Sequence, residues 1–368
     1  MRFVRFSVKK KKNYQGSTMT TTTDETGARI FSASNLEKIF QLDISKSSLL
    51  SYEERGIIPR ADRTMRGRSA YRSWKTGALP HIGSNLGFLK RPKKTKVVSI
   101  FSLKGGTGKT TFAFQFARSL ALHNIRTLMI GLDAQESVTQ TLNRTAPPAS
   151  DDQGHPIGLF HVLSGDVAIE SVVVKTDLDT LHYVPETIEL SVLDRFLKGR
   201  MRKEYVLKEQ IVDPLIECRQ YDVIIFDCNP AWSDTVTGAL AATDILISPL
   251  GCDINSLKAA NIFVDLLADF QNEMKHTFER FLLVPSLAEN NRLSQHILAK
   301  YRLEYDQVCT VSSIRRAVSV QEANVMGLSL MEVGFKTPVY QDFVGVFKEA
   351  NAAMFNNAIE AESRAAAL

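Results

Sequence analysis

The tightest constraint on this chain is the run VVSIFSLKGGTGKTT at 97–111. An apolar stretch runs into a turn with three glycines, and Phe112, Phe116 and Leu120 then recur at helical spacing. A strand feeding a glycine turn and then a helix brings backbone N–H groups and the positive end of the helix to one point, which is how phosphate is held. Similar short apolar runs stand at 125–132, 221–227, 244–250, 280–286 and 308–314, with helical segments between them. That alternation predicts an α/β fold, a doubly wound and mostly parallel sheet covered on both faces, with ligands at the carboxyl ends of its strands.

Within the loop, Gly105, Gly106 and Gly108 let backbone N–H groups converge without a Cβ in the way, and Thr107 and Thr111 complete the turn. Lys109 is placed to reach the outer phosphates, and the Thr110 hydroxyl is placed for Mg²⁺. Two aspartates end neighbouring apolar runs: Asp227 closes VIIFD, and Asp133 closes TLMIGLD. Asp227 belongs beside Mg²⁺, and Asp133 suits polarising an attacking water. A strand-end aspartate serves equally as a helix cap, and for Asp133 the pattern leaves both roles open. Lys104 is left over. It precedes the glycines and does not fold back readily onto phosphates that Lys109 already serves.

A chain of 368 residues is long enough for two domains, and its charge is unevenly divided. Residues 1–96 hold 21 Lys/Arg against 7 Asp/Glu, a net of +14; the remainder holds 24 against 33, a net of −9. A basic first quarter implies a polyanionic partner or a solvated tail. The four cysteines form no CxxC pair, so neither a zinc site nor a disulfide framework is indicated. No apolar run approaches the ~18 residues of a membrane span. Residues 1–28, with the runs Lys9–Lys12 and Thr20–Thr23, read as a disordered basic tail, and Met19 offers an alternative start. Residues 29–80 read as a small helical unit. SNLEKIF (34–40) has capping-box spacing from Ser34 to Glu37, and a second helix from about Ser45 is ended by Gly56 and Pro59. Two short helices and the arginine-rich segment RADRTMRGRSAYRSW (60–74) form a helix-turn-helix candidate with a wing for a phosphate backbone. Residues 81–96 have linker composition, and 97–368 form the α/β domain. Phe343, Phe347 and Met354 share one helical face near the C-terminus, as a core face would.

KGGTGKTT, with a lysine at its first position, resembles the deviant Walker A motif of the ParA/MinD group of ATPases. The resemblance spans most of 97–350. It implies that Lys104 crosses a dimer interface to the nucleotide of the other subunit, so that dimerisation depends on ATP and hydrolysis on the dimer. IGLDAQES (130–137) is similar to the family's I-D-x-D-P-Q-x-S. Asp133 matches its water-activating aspartate, while Gly131 replaces the first Asp and Ala134 the Pro. IIFDCNPAW (224–232) is similar to I-I-x-D-x-P-P, with Asp227 and Pro230 matching and Asn229 replacing a proline. Arg292, Arg315 and Arg316 fall where the family's ATP dimer grips DNA without reading sequence; plain surface charge is the alternative. Longer partition ATPases carry an N-terminal helix-turn-helix that represses their own operon. SLLSYEERGIIPRADRTMRGRSAYR (48–72) is also similar to the MerR-type winged helix. Tyr52, Glu53, Gly56, Ile58, Pro59, Arg60, Gly67, Arg68 and Tyr71 match that pattern, and Leu50 stands where an arginine is common. Lys46, Ser47, Arg60, Arg63, Arg68 and Arg72 are the DNA-contact candidates of this unit.

The resemblance implies ATP and Mg²⁺ as cofactors, weak ATPase activity, an ATP-dependent homodimer, both non-specific and operator DNA, and a ParB-like centromere-binding partner. It implies a cytoplasmic, nucleoid-associated protein with no membrane contact. An ATP-liganded transcription regulator and a positioning ATPase for a protein cargo are the alternatives.

Overall fold

The computed structural model describes residues 21–24, 26–66, 69–135, 137–142, 145 and 147–355. Most of the predicted tail 1–28 lies outside them.

The chain opens with strands Thr22–Thr23 (β1) and Arg29–Ser32 (β2). Helices Ala33–Ile39 (α1) and Lys46–Glu54 (α2) follow, then a hairpin of Asp62–Arg66 (β3) and Ser69–Lys75 (β4). The four strands form an antiparallel sheet in the order β1-β2-β4-β3; β3 and β4 lie in the arginine-rich segment read as a wing, and β1 and β2 are additional to that reading. The capping box lies two residues earlier than predicted. The chain leaves β2 extended at Ser32, whose hydroxyl accepts from Asn35 N–H at 3.3 Å while Asn35 Oδ1 accepts from Ser32 N–H at 2.9 Å. Ser34 therefore falls inside the first turn. α2 starts as predicted, with Ser45 capping Ser48 N–H at 3.1 Å, and Gly56 just past its end has φ 70°.

The predicted linker 81–96 begins instead inside a packed helix, Leu79–Leu86 (α3). Leu79 and Ile82 are fully buried, and a Cβ on Gly83 would overlap the Leu122 carbonyl. Its small residues serve close packing rather than flexibility. Beyond α3, Lys90 is pinned through its backbone to the Asn351 side chain, its N–H at 2.7 Å and its carbonyl at 2.9 Å. The two units consequently share one apolar core, in which Phe31, Leu36 and Phe40 join Phe112, Phe116 and Phe347. Each such side chain contributes on the order of 1.5–3 kcal/mol.

The larger unit begins with Lys96–Ile100 (β5), Lys109–Leu122 (α4) and Thr127–Gly131 (β6). Short helices Ser137–Thr141 (α5), Leu159–Ser164 (α6) and Ile169–Val172 (α7) lead to strands Val174–Lys175 (β7) and Leu181–Val184 (β8). Next come Leu190–Lys198 (α8), Asp213–Glu217 (α9), Val223–Asp227 (β9), Asp234–Ala241 (α10) and Ile245–Gly251 (β10). The chain closes with Ile254–Met274 (α11), Arg280–Ser286 (β11), Arg292–Glu304 (α12), Val318–Val325 (α13), Leu330–Val333 (α14) and Pro338–Ala353 (α15). The sheet order is β11-β10-β5-β9-β6-β8-β7, parallel except for β7, as the apolar runs predicted. β9 is buried along its whole length, as a strand covered on both faces must be. Residues 308–314 form no strand. They meet β11 at an isolated bridge, Leu283 to Cys309, and again where Ile314 N–H donates to the Pro285 carbonyl at 2.8 Å; between these points Val311 and Ser312 donate their N–H groups to Glu349 of α15 instead.

Candidate active site

The central strand β5 delivers the glycine loop to the carboxyl end of the sheet, between β10 and β9. Gly106 (φ 74°) and Gly108 (φ 91°) adopt left-handed backbone, and Gly108 caps α4. The loop is braced from below: Ser102 Oγ meets Thr107 Oγ1 at 3.0 Å, and Ser286 Oγ donates to the Thr107 carbonyl at 2.8 Å. Lys109 is 7% exposed, and its ammonium donates to the Lys104 carbonyl at 2.8 Å. Burial lowers its pKa, opposed by Asp227 nearby. Thr111 accepts from Asn324 Nδ2 at 3.3 Å, which ties the loop to α13.

Asp227 ends β9 opposite Ile100 of β5 on one side and Gly131 of β6 on the other. It is 1% exposed, and neither carboxylate oxygen has a hydrogen-bond partner among the described residues. Burial pushes it up to about 7; Thr110 and Lys109 oppose this, the hydroxyl from outside hydrogen-bonding geometry. An unsatisfied buried carboxylate beside a threonine hydroxyl and a lysine suits a hydrated cation on a phosphate. Among the described residues no group of three or more His, Cys, Asp or Glu side chains could hold a metal alone. Asp133 lies half-buried two residues beyond β6 and accepts from Gln135 N–H at 3.1 Å. It is close enough to Lys109, Asp227 and Glu186 to influence their charge states. Asn229, the departure from proline, reaches the Leu132 carbonyl at 3.5 Å and links the loops bearing Asp227 and Asp133.

Lys104 takes a separate course. Its ammonium donates to Asp253 Oδ1 at 2.7 Å and Ser256 Oγ at 3.1 Å, at the start of α11. Partial burial pushes the Asp253 carboxyl up, but its bonds from Lys104 and Ser256 outweigh this and hold it at about 2.

A match to an AAA-domain family model covers residues 95–280, just over half of the chain. The chain belongs to the P-loop ATPase family of the ParA/MinD type. The chromosome partitioning protein ParA of Caulobacter vibrioides is 24% identical over 257 residues, covering 69% of this chain and 93% of that protein. A cobyrinic acid a,c-diamide synthase from Mycobacterium smegmatis, solved with a bound ATP analogue and magnesium, superposes with TM-score 0.55 at 24% identity, over 70% of this chain and 93% of that one. A solved partition protein superposes with TM-score 0.64 at 15% identity, over 88% of this chain and 92% of that one. That share exceeds what residues 95–368 can supply, so the likeness in fold reaches into the N-terminal unit. The unpartnered carboxylate of Asp227 beside Thr110 and Lys109 fits the ATP analogue and magnesium that the Mycobacterium smegmatis synthase holds.

The structure also gathers the basic candidates of the ParA-type unit. The Arg316 N–H donates to the Ala288 carbonyl at 2.9 Å, bringing Arg315 and Arg316 alongside the segment that leads to Arg292 at the start of α12. All three arginines are exposed; Arg315 pairs with Asp342 at 2.6 Å and Arg316 with Glu289 at 2.7 Å. In the N-terminal unit Ser47, Arg60, Arg63 and Arg72 are exposed, and Arg72 is held by Glu53 at 2.8 Å. Lys46 begins α2. Arg68 lies outside the described residues.

Sequence reasoning missed Asp253, Ser256 and Glu186. Asp253 carried a signal, since it follows an apolar strand and precedes a helical run. Glu186 carried none, because β8 is only four residues long and includes His182.

Proposed function

We propose that this chain is an ATP-driven DNA-partition ATPase. The observation that carries the reading is the divergence of the two lysines. Lys109 serves its own loop, while Lys104 is held at the rim by Asp253 and Ser256, with its side chain 31% exposed. A lysine on that rim is available to the nucleotide of a second subunit. In this reading ATP and Mg²⁺ bind across 104–111, Lys109 neutralises the outer phosphates, and Asp227 orients the hydrated ion with Thr110. Asp133 orients the attacking water. Two subunits close face to face through Lys104, and the closed homodimer grips bulk DNA through Arg292, Arg315 and Arg316. The surface pairs of the last two with Asp342 and Glu289 are weak enough to exchange for phosphate. A ParB-like centromere-binding partner accelerates hydrolysis, which opens the dimer.

The N-terminal unit reads as a winged helix-turn-helix for operator DNA. Its support is the order α1, α2, hairpin, and the tie between helix and hairpin: Glu53 of α2 accepts from Arg72 at 2.8 Å and from Ala61 N–H at 3.0 Å. Trp74 Nε1 fixes the turn by donating to the Pro59 carbonyl at 2.8 Å. Arg60 and Arg63 remain on the outside to meet phosphates, and Ser47 and Lys46 lie in the first turn of α2.

Sedimentation with Mg·ATP tests the central step. The wild type is expected to double in mass, while Lys104→Ala binds ATP and stays monomeric. A Lys104→Ala variant that dimerises like the wild type would overturn the reading.

A further inference from the structure

Residue 131 ends β6 directly opposite Asp227, at the edge of the site. Its backbone lies outside the left-handed region, so conformation does not demand a glycine there. Space does: a Cβ on residue 131 would overlap Cγ, Cδ and Oε1 of Glu186. The Glu186 carboxyl, delivered from just beyond β8, fills the volume that a side chain at 131 would take.

Glu186 is 2% exposed, and its carboxyl is engaged on one side. Oε2 accepts from Val138 N–H at 2.8 Å and Thr139 N–H at 3.2 Å, at the start of α5. In return the Glu186 N–H donates to Thr139 Oγ1 at 2.9 Å. Oε1 has no partner among the described residues. The loop between β6 and α5 carries Asp133, so one end of this loop is fixed by the sheet and the other by Glu186. Burial, opposed by the backbone N–H bonds and reinforced by the charges of Asp227 and Asp133, pushes the Glu186 carboxyl up to about 8.

We propose that Glu186 is a positioning residue for hydrolysis: from β8 it supplies the carboxyl that a glycine at 131 cannot, and it clasps the loop that presents Asp133. This rests on reading 104–111, Asp133 and Asp227 as an ATP-hydrolysing site. An aspartate at 131 would project its carboxyl into the same volume, so the clasp should be transferable between the two positions.

The full-length protein is compared with Glu186→Ala, Glu186→Gln, Gly131→Asp and the double variant Gly131→Asp/Glu186→Ala. Three quantities are read: affinity for a fluorescent ATP analogue, steady-state kcat and KM with Mg·ATP, and amide exchange at Val138 and Thr139. Glu186→Ala is expected to keep nucleotide affinity within about threefold, to lose about tenfold or more in kcat, and to speed amide exchange. Glu186→Gln keeps an oxygen acceptor and should recover most of kcat. Gly131→Asp alone should lose kcat through overlap, and the double variant should regain kcat to within about threefold of wild type, with the two amides protected again. Unchanged kcat in Glu186→Ala would overturn the proposal. So would a double variant whose amides are protected but whose kcat stays as low as that of Glu186→Ala, since the clasp would then be structural only. A wild-type chain that binds no ATP would overturn the ATPase reading, and the positioning role with it, while the exchange data would still report the clasp.

Discussion

The two ends of α4 treat buried charge in opposite ways. At its start, in the glycine loop, Asp227 is buried with both oxygens unpartnered, and the nearly buried Lys109 has turned to a backbone carbonyl. Two turns further along, Arg118 is fully buried and fully used. It donates to Glu332 at 2.5 and 2.9 Å and to Asp177 at 2.7 and 3.0 Å, and Asp177 also takes Arg29 of β2 at 3.3 Å. The helix then ends at His123, set edge-on to Phe40 and Phe88 with ring centroids 5.3 and 4.7 Å away. Buried charge that is satisfied ties α4 to the segments bearing Glu332 and Asp177, and Asp177 extends the network to Arg29 of the N-terminal unit. Buried charge that is unsatisfied marks where a ligand completes the structure.

The largest effect is expected at the fastened end. Arg118→Met strands Glu332 in the core and should cost about 3–5 kcal/mol in denaturant unfolding. A loss below about 1 kcal/mol would mean that the Arg118 network contributes little to holding the fold together.

His123 sharpens it through pH. Burial depresses this histidine to about 4, opposed by its bond to the Ser119 carbonyl at 2.7 Å. The unfolded chain binds the proton near pH 6.5 and the folded chain only near pH 4, so the unfolded state holds more protons between those values. Stability should therefore be fully present above about pH 6.5 and fall by about 3 kcal/mol as pH drops to about 4. Melting curves across that window, repeated on His123→Phe, should lose that share of the slope.

At the open end the effect is on ligand and not on folding. Lys109→Ala should weaken ATP by about 10–100-fold, the worth of one or two charge-assisted bonds. It should change unfolding free energy by less than about 1 kcal/mol, because among the described residues that ammonium hydrogen-bonds only a carbonyl of its own loop, and loss of its charge beside the buried Asp227 is met by protonation of that carboxyl, already pushed up to about 7. Calorimetric titration and a melting curve on the same sample check both halves.

The open end was also the legible one. A glycine loop between a strand and a helix is a local pattern, so Gly105, Gly108, Lys109 and Thr110 could be read from spacing, and Asp227 and Asp133 from the ends of apolar runs. The fastened end is built from residues far apart in the chain. Arg118, Asp177 and Glu332 come from three separate segments, and each reads locally as an ordinary surface charge. Residues 81–96 misled for a related reason: Gly83 and Gly87 look like flexible punctuation, yet a Cβ at either would overlap His123 or its neighbour Leu122. Glu186 was invisible because its meaning depends on the missing side chain of Gly131, a relation between neighbouring strands that spacing does not encode.

The central claim is that ATP, acting through Lys104, gates the grip on DNA. The most direct measurement is affinity for random-sequence duplex DNA without nucleotide, with ADP and with ATP, across a salt series, for the wild type and Lys104→Ala. Tight, salt-sensitive binding with ATP alone, lost in Lys104→Ala, is the predicted result. Binding that ignores both the nucleotide and the substitution would contradict the account and leave a DNA-binding regulator with an accessory ATP site.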